Sequence, residues 1–322
     1  MAMTRRKPMS SRLTGALLRW FDAAAPAVSG IDPQSDGIDW ARIVPFVAMH
    51  LACVAVFWVG VSPIALAAAG LLYFVRMFAI TGFYHRYFSH RAFKTTRIGQ
   101  FVFAVLGASA VQRGPIWWAA HHRHHHAHSD RHGDVHSPVQ RGFLWSHAGW
   151  FLSRRYFTPD LSRVRDLLHF PELRLLDRFD VLVPVALAAG LFGCGALLEH
   201  HAPALGTDGW QMLIWGFFVS TVACYHATYT INSLSHRYGR QRYETGDESR
   251  NNFWLALITL GEGWHNNHHH YPAAARQGFY WWEIDITFYL LRCLASIGVI
   301  WDLKPVPQRV LLRHATGRSR PA

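Results

Sequence analysis

The chain is poor in charge, in acid and in cysteine, and each shortage excludes something. Only 16% of its 322 residues are Asp, Glu, Lys or Arg, against about 25% in a soluble globular protein. Hydrophobic residues make up 51% and aromatics 14%, which excludes a disordered chain and points to one embedded in lipid. The four cysteines (Cys53, Cys194, Cys224 and Cys293) are widely spaced in apolar surroundings with no CxxC pair. A disulfide framework and thiolate sites for zinc or iron–sulfur clusters are therefore excluded. No repeat period is present, so solenoids, collagen and coiled coils are excluded as well. What is abundant is histidine, with 22 residues.

Four stretches have the roughly 20 mainly apolar residues a bilayer crossing needs: 43–60, 63–84, 181–198 and 211–231. A shorter apolar run at 98–111 and the stretch 278–301, with Trp281, Trp282, Arg292 and Trp301, read as interfacial. Glu283 and Asp285 count against a fifth crossing there. Arg5, Arg6, Lys7, Arg12 and Arg19 precede the first span, and the loops at 61–62 and 199–210 carry no Lys or Arg. Apart from Arg42 and Arg76, the remaining cations lie in 85–180 or after 236. The positive-inside rule then puts both termini and both long segments in the cytoplasm. The net charge of +12 is concentrated on that face, where it serves anionic lipid or an anionic substrate. No cleavable signal is expected, because the first apolar stretch is too short and is followed by Arg19.

The expected fold is all-α and integral to the membrane: four transmembrane helices under a cytoplasmic helical cap. A basic tail (1–41, with an amphipathic piece near 12–25) leads into a membrane-embedded domain (42–303). That domain has cytoplasmic segments 85–180 and 232–303, and a basic tail (304–322) follows. A bacterial inner membrane, or the endoplasmic reticulum of a eukaryote, suits such a chain.

The histidines gather where spans emerge on that one face. His85 and His90 follow the second span, His121, His122, His124, His125 and His126 come next, and Asn232 and His236 follow the fourth. His265, His268, His269 and His270 come last. Residues three or four apart share a helix face, so His122 with His125 and His126, and His265 with His268 and His269, can each present imidazoles to one side. Asn232 and His236 are one turn apart. His85 and His90 would stand about 140° apart on a regular helix, so they converge only if the helix ends or distorts between them. No carboxylate is interleaved, unlike the Glu-x-x-His sites of soluble di-iron bundles. Imidazole-rich sites suit iron, copper, zinc or nickel, and spacing does not choose among them. A metal transporter would string its ligands along a path at the bilayer midplane. Only His50 lies inside the first span, and it reads as a packing or tunnel residue.

The ordered set HRYFSH (85–90), HRHHH (122–126), His132-Gly-Asp134-Val-His136-Ser, RGFLWSHAGW (141–150), NSLSH (232–236) and GEGWHNNHHHYP (261–272) resembles the integral-membrane fatty acyl desaturases, in particular the Δ9 acyl-CoA (stearoyl-CoA type) branch. The resemblance implies a di-iron centre. One iron takes His85, His90, His122, His126 and His269; the other takes His125, His236, His265 and His268, with Asn232 acting through a water. His121, His124, His128 and His270 fall at non-ligand positions, facing solvent or standing behind the ligands. His132, Asp134 and His136 are implied behind the ligands, Asp134 as an acceptor for an imidazole N–H.

The implied reaction is O2-dependent introduction of a cis double bond at the Δ9 position of a saturated acyl thioester, acyl-CoA foremost. Gln112, Trp118 and Thr228 line the kink of an apolar tunnel, Tyr73 and Met77 face its closed end, and Arg154 and Arg155 contact CoA. Ala120 and His121 stand where animal enzymes have Arg and Asp, which leaves acyl carrier protein and intact lipid open as carriers. No His-Pro-Gly-Gly haem segment follows the third histidine box. A separate donor is therefore implied: ferredoxin, rubredoxin, or cytochrome b5 with its reductase. No nucleic-acid partner is implied. A hydroxylase or other monooxygenase on the same scaffold is the neighbouring alternative.

Overall fold

The computed structural model describes residues 18–25, 32 and 35–312. Most of the expected N-terminal tail and its amphipathic piece, and the end of the C-terminal tail, lie outside the described residues. The described chain is mostly helical, with one small antiparallel ribbon pairing Lys94–Thr95 with Ile300–Trp301.

Helix α1 (Trp40–Ala52) continues through a tighter turn and Val56–Val59 to a stop at Gly60, whose φ of 67° is the left-handed region that glycine tolerates. Helix α2 (Pro63–Phe78) begins with Pro63 in its first turn and the Ser62 hydroxyl accepting from the Ala65 N–H at 3.1 Å. It passes without a break into a π-helical segment, Ala79–Ser89. Helix α3 (Arg97–Ala108) is capped by Thr96, and α4 (Pro115–His128) carries the second histidine box. Then come α5 (Leu182–His201), α6 (Ser220–Ser233), the short α7 (His265–His270) and α8 (Ile286–Ser296).

Among the described residues, three helical runs are long and apolar enough to cross a membrane: Arg42–Val59, Pro63–Ser89 and Leu182–His201. The fourth expected stretch, 211–231, lies within helical turns that lead through Gly209–Gln211 and Met212–Val219 into α6. That run is studded with polar side chains, and the structure gives their reason. Arg76, 1% exposed in the last turn of α2, donates to Thr221 Oγ1 at 2.5 Å and to Ser220 Oγ. A buried guanidinium must find acceptors, and α6 supplies them. In the two stretches expected to be interfacial lie the shorter apolar helices α3 and α8, of 12 and 11 residues. Glu283 and Asp285 are fully buried and pair with Arg242 and Arg86.

No residue of the 42–59 run is buried, yet one polar chain ties α1 to the interior. His50 Nδ1 lies 2.7 Å from the Phe46 carbonyl, and its Nε2 lies 3.2 Å from His226 Nε2. His226 meets His147 at 3.0 Å, and His147 meets Ser233 Oγ at 3.0 Å. His50 is thus a packing residue that clasps α1 to α6.

Close backbone approach sets where α3 lies. A Cβ on Gly107 would stand 2.0 Å from the Tyr84 ring, whereas one on Gly190 in α5 would meet nothing within 4 Å. Gly107→Ala is expected to cost about 1–3 kcal/mol through overpacking. Gly190→Ala is expected to be neutral or slightly stabilising. Thermal unfolding of the two variants in detergent checks the contrast.

Candidate metal centre

The clustered histidines assemble into two groups. His85, His90, His122, His126 and His268 form one; His125, His236, His265 and His269 form the other; within each, the candidate donor atoms lie within 4.8 Å of one another. The π-helical segment explains His85 and His90: the His90 N–H bonds to the His85 carbonyl at 3.2 Å, an i+5 closure, and the rings come to 4.9 Å. One extra residue per turn brings onto one side two groups that a regular helix would separate.

The partition corrects one expectation. His268 joins the first group and His269 the second, the reverse of the family-derived assignment. The reason is helical phase: residues four apart stand nearly in line, so His265 and His269 go together on α7, as His122 and His126 do on α4. His125 and His268 point across to the opposite group, so each helix feeds both. The His125 and His126 rings lie 5.6 Å apart, which holds the groups side by side.

A carboxylate stands behind one nitrogen of four of these rings. Asp134 meets His125 Nδ1 at 2.9 Å, Asp130 meets His236 Nδ1 at 2.7 Å, Asp247 meets His269 Nδ1 at 2.6 Å, and Glu262 meets His85 Nδ1. Each carboxylate fixes a proton on Nδ1 and turns the Nε2 lone pair inward. Burial pushes all four acids up, but their imidazole partners, with Arg86 added at Glu262, hold them below the usual carboxylate range. Burial, reinforced by neighbouring imidazoles, holds His90, His122, His126, His265 and His268 well below the ordinary imidazole range, so these rings are neutral.

The inward nitrogens fit a metal. His125 Nε2 and His269 Nε2 are buried with no hydrogen-bond partner, and His265 Nε2 lies 3.0 Å from His236 Nε2. His268 Nε2 lies 3.0 Å from His85 Nε2 and 2.9 Å from His126 Nε2. A single nitrogen cannot satisfy both neighbours with one proton, whereas a cation among them would satisfy all three. Such all-imidazole donor sets suit first-row transition metals.

The other expected residues divide. Trp118, Gln112 and Thr228 line one cavity of about 500 Å3, together with His122, His136 and Asn232. The Gln112 amide donates to Thr228 Oγ1 at 3.0 Å. A small cavity of about 50 Å3 is lined by Met77 and by His85, His125 and His265, and shares Trp118, Thr228 and Asn232 with the larger one. Tyr73 reaches neither cavity, because its hydroxyl is committed to the Ile258 carbonyl. Arg154 and Arg155 also stay outside: the Arg154 amide bonds to the Gly37 carbonyl at 3.1 Å, and the Arg155 guanidinium sits 3.7 Å from Asp36.

His132 is exposed on its loop and stands behind no ligand, whereas His136 is buried with its ring 4.2 Å from that of His125. His121 is not solvent-facing. It is buried against Trp117 at 4.5 Å and lines the large cavity. His124 bonds to the Gly133 carbonyl at 2.9 Å, His128 to the His124 carbonyl at 3.0 Å, and His270 stacks on Tyr243 at 4.0 Å.

Sequence reasoning missed Asp130, Asp247 and Glu262. Glu262 had a signal, three residues before His265 in the third box, and Asp130 lies two residues beyond His128. Asp247 had none. Reasoning also missed Arg19, Arg42 and Arg113 as cavity-lining residues.

Two adjoining groups of nitrogen donors, beside apolar helices and open to a cavity, form a histidine cage consistent with a metal site. The family model for fatty acid desaturases matches residues 61–294, and the chain belongs to that family. It is 35% identical over 292 residues to the acyl-CoA 5-desaturase of Anemone leveillei, covering 87% of this chain and 84% of the relative. It is 37% identical over 274 residues to the palmitoyl-monogalactosyldiacylglycerol delta-7 desaturase of Arabidopsis thaliana, covering 83% and 69%. With the sn-1 stearoyl-lipid 9-desaturase of Anabaena variabilis, identity is 34% over 270 residues, covering 83% and 94%.

His125→Ala and His268→Ala are each expected to lower the metal content of the purified protein, measured by elemental analysis, while His124→Ala leaves it unchanged. Asp134→Asn, which releases the His125 proton, is expected to weaken metal binding about 10–100-fold.

Proposed function

We propose that this protein is an O2-dependent di-iron acyl desaturase that introduces a cis double bond at the Δ9 position of a saturated chain carried as a thioester or ester, acyl-CoA foremost. The observation that carries the reading is the meeting of the two imidazole groups with a cavity at Trp118, Thr228 and Asn232. An acyl chain is an unactivated hydrocarbon with no acidic proton, so no acid or base on the protein could attack it. Two irons, when bound, supply the oxygen chemistry that removes two hydrogens from adjacent methylenes.

The chain's own residues do the rest. His85, His90, His122, His126 and His268 hold one iron; His125, His236, His265 and His269 hold the other, with Asn232 acting through a water. Asp130, Asp134, Asp247 and Glu262 hold the proton of His236, His125, His269 and His85 on Nδ1 and aim Nε2 of those rings inward. The Gln112–Thr228 hydrogen bond and the Trp118 ring fix the bend in the path past the irons, and Met77 closes the far end. Holding the chain in one pose sets which carbons face the metals. The family match and relatives named for both acyl-CoA and lipid desaturation support the reaction class.

In this reading the run 211–231 is a fourth membrane crossing, and the cage and both termini face the cytoplasm. Electrons come from a separate donor, a ferredoxin, a rubredoxin or cytochrome b5 with its reductase, drawn to the basic face. Expression in a desaturase-deficient host, with lipid mass spectrometry and double-bond location, tests the whole. Wild type is expected to yield chains two hydrogens lighter with the bond at Δ9, and His268→Ala none. Chains one oxygen heavier would instead identify a hydroxylase. Met77→Ala is expected to shift the products toward longer chains.

A further inference from the structure

The cavity that reaches the cage is lined by three guanidiniums from separate parts of the chain: Arg19, Arg42 and Arg113. They are well removed from water, with side-chain exposures of 7%, 14% and 27%. Asp39 pairs with Arg19 and lies 3.7 Å from Arg42 Nε. Asp180, the one carboxylate among the described lining residues, lies 3.2 Å from Arg113 Nη1. Three cations thus share two carboxylates. Asp177, behind Trp117, does not line the cavity and turns its Oδ1 to the Trp117 N–H at 2.8 Å.

Arg42 and Arg113 also stack on the same ring, that of Phe157, Arg113 at 4.1 Å from its centre. Among the described residues, the Nε atoms of all three arginines are buried without a hydrogen-bond partner. Crowding like charges onto one ring in a dry site is costly unless an anion joins them. Planar guanidiniums match the oxygens of a phosphate, which can accept from several forks at once.

Position supplies the second argument. Arg42 is the first residue of an apolar run long enough to cross a membrane. Its guanidinium therefore sits where the headgroup of an amphiphile would lie if the acyl chain occupied the apolar cavity toward His122 and Asn232. The basic pair that sequence pointed to, Arg154 and Arg155, lies outside this cavity.

We propose that Arg19, Arg42 and Arg113 bind the phosphate of the acyl donor's headgroup, so that the substrate is a phosphorylated acyl carrier and not an uncharged one. The proposal rests on the desaturase reading. A phospholipid phosphate and the phosphates of CoA offer the same chemistry, and the test separates them.

Metal-loaded protein in nanodiscs of uncharged lipid is titrated, in competition with a fluorescent acyl probe, with four palmitoyl ligands: palmitoyl-CoA, dipalmitoyl-phosphatidylglycerol, dipalmitoyl-monogalactosyldiacylglycerol and methyl palmitate. At least one phosphorylated ligand is expected to bind wild type about 10-fold or more tightly than the uncharged two, as charge-assisted hydrogen bonds allow. Which of the two does so names the source. The advantage is expected to shrink with salt and to vanish in the Arg42→Gln/Arg113→Gln double variant, while methyl palmitate binding and metal content stay at wild-type level.

Equal binding of charged and uncharged ligands by wild type, a measurement that needs no variant to fold, overturns the headgroup assignment. So does loss of the preference in Arg154→Gln/Arg155→Gln with its retention in the double variant. Failure of all four ligands to bind overturns the desaturase reading together with it.

Discussion

The whole structure depends on holding many buried imidazoles fixed in rotation with one nitrogen turned inward. A ring has two nitrogens and, when neutral, one proton, so the outer nitrogen must be given an acceptor. Asp130, Asp134, Asp247 and Glu262 are those acceptors. Each is buried or half-buried and in turn held by further donors. Glu262 takes Arg86 at 3.0 Å and the Gln277 amide at 2.9 Å, and Arg86 reaches on to Asp285 at 3.0 Å. The cage is therefore the inner layer of a polar network, and the apolar helices around it serve to hold that network still.

The same economy of polar groups runs through the helices. The buried Arg76 in the last turn of α2 would be prohibitive were Ser220 and Thr221 not turned toward it. Those two residues account for part of the polarity of the 211–231 run. Likewise His50, exposed His226 and His147 form a chain that clasps α1 to α6. The π-helical closure between His85 and His90 spends one regular hydrogen-bond register to bring two donors to one point.

The cavity completes the logic from fold to function. It is lined by the cations Arg19, Arg42 and Arg113, by the imidazoles of His121, His122 and His136, and by Gln112, Trp118 and Thr228. A site of that lining suits a molecule charged at one end and apolar along its length.

The sequence by itself determined the helical class, the location of the apolar runs and most of the nitrogen donors, because hydrophobic runs and i, i+4 histidines are local patterns read within one turn. It also revealed that His85 and His90 needed a distorted helix. Only the tertiary structure decided which group His268 and His269 join, since that depends on how the six-residue α7 is rotated against α4. It alone brought Asp130 to His236 across 106 residues and Arg19 to Asp39. It alone left Arg154 and Arg155 outside the cavity and Tyr73 bonded elsewhere. Contacts of that kind are set by where loops close and how helices pack. No short-range pattern of residues encodes either.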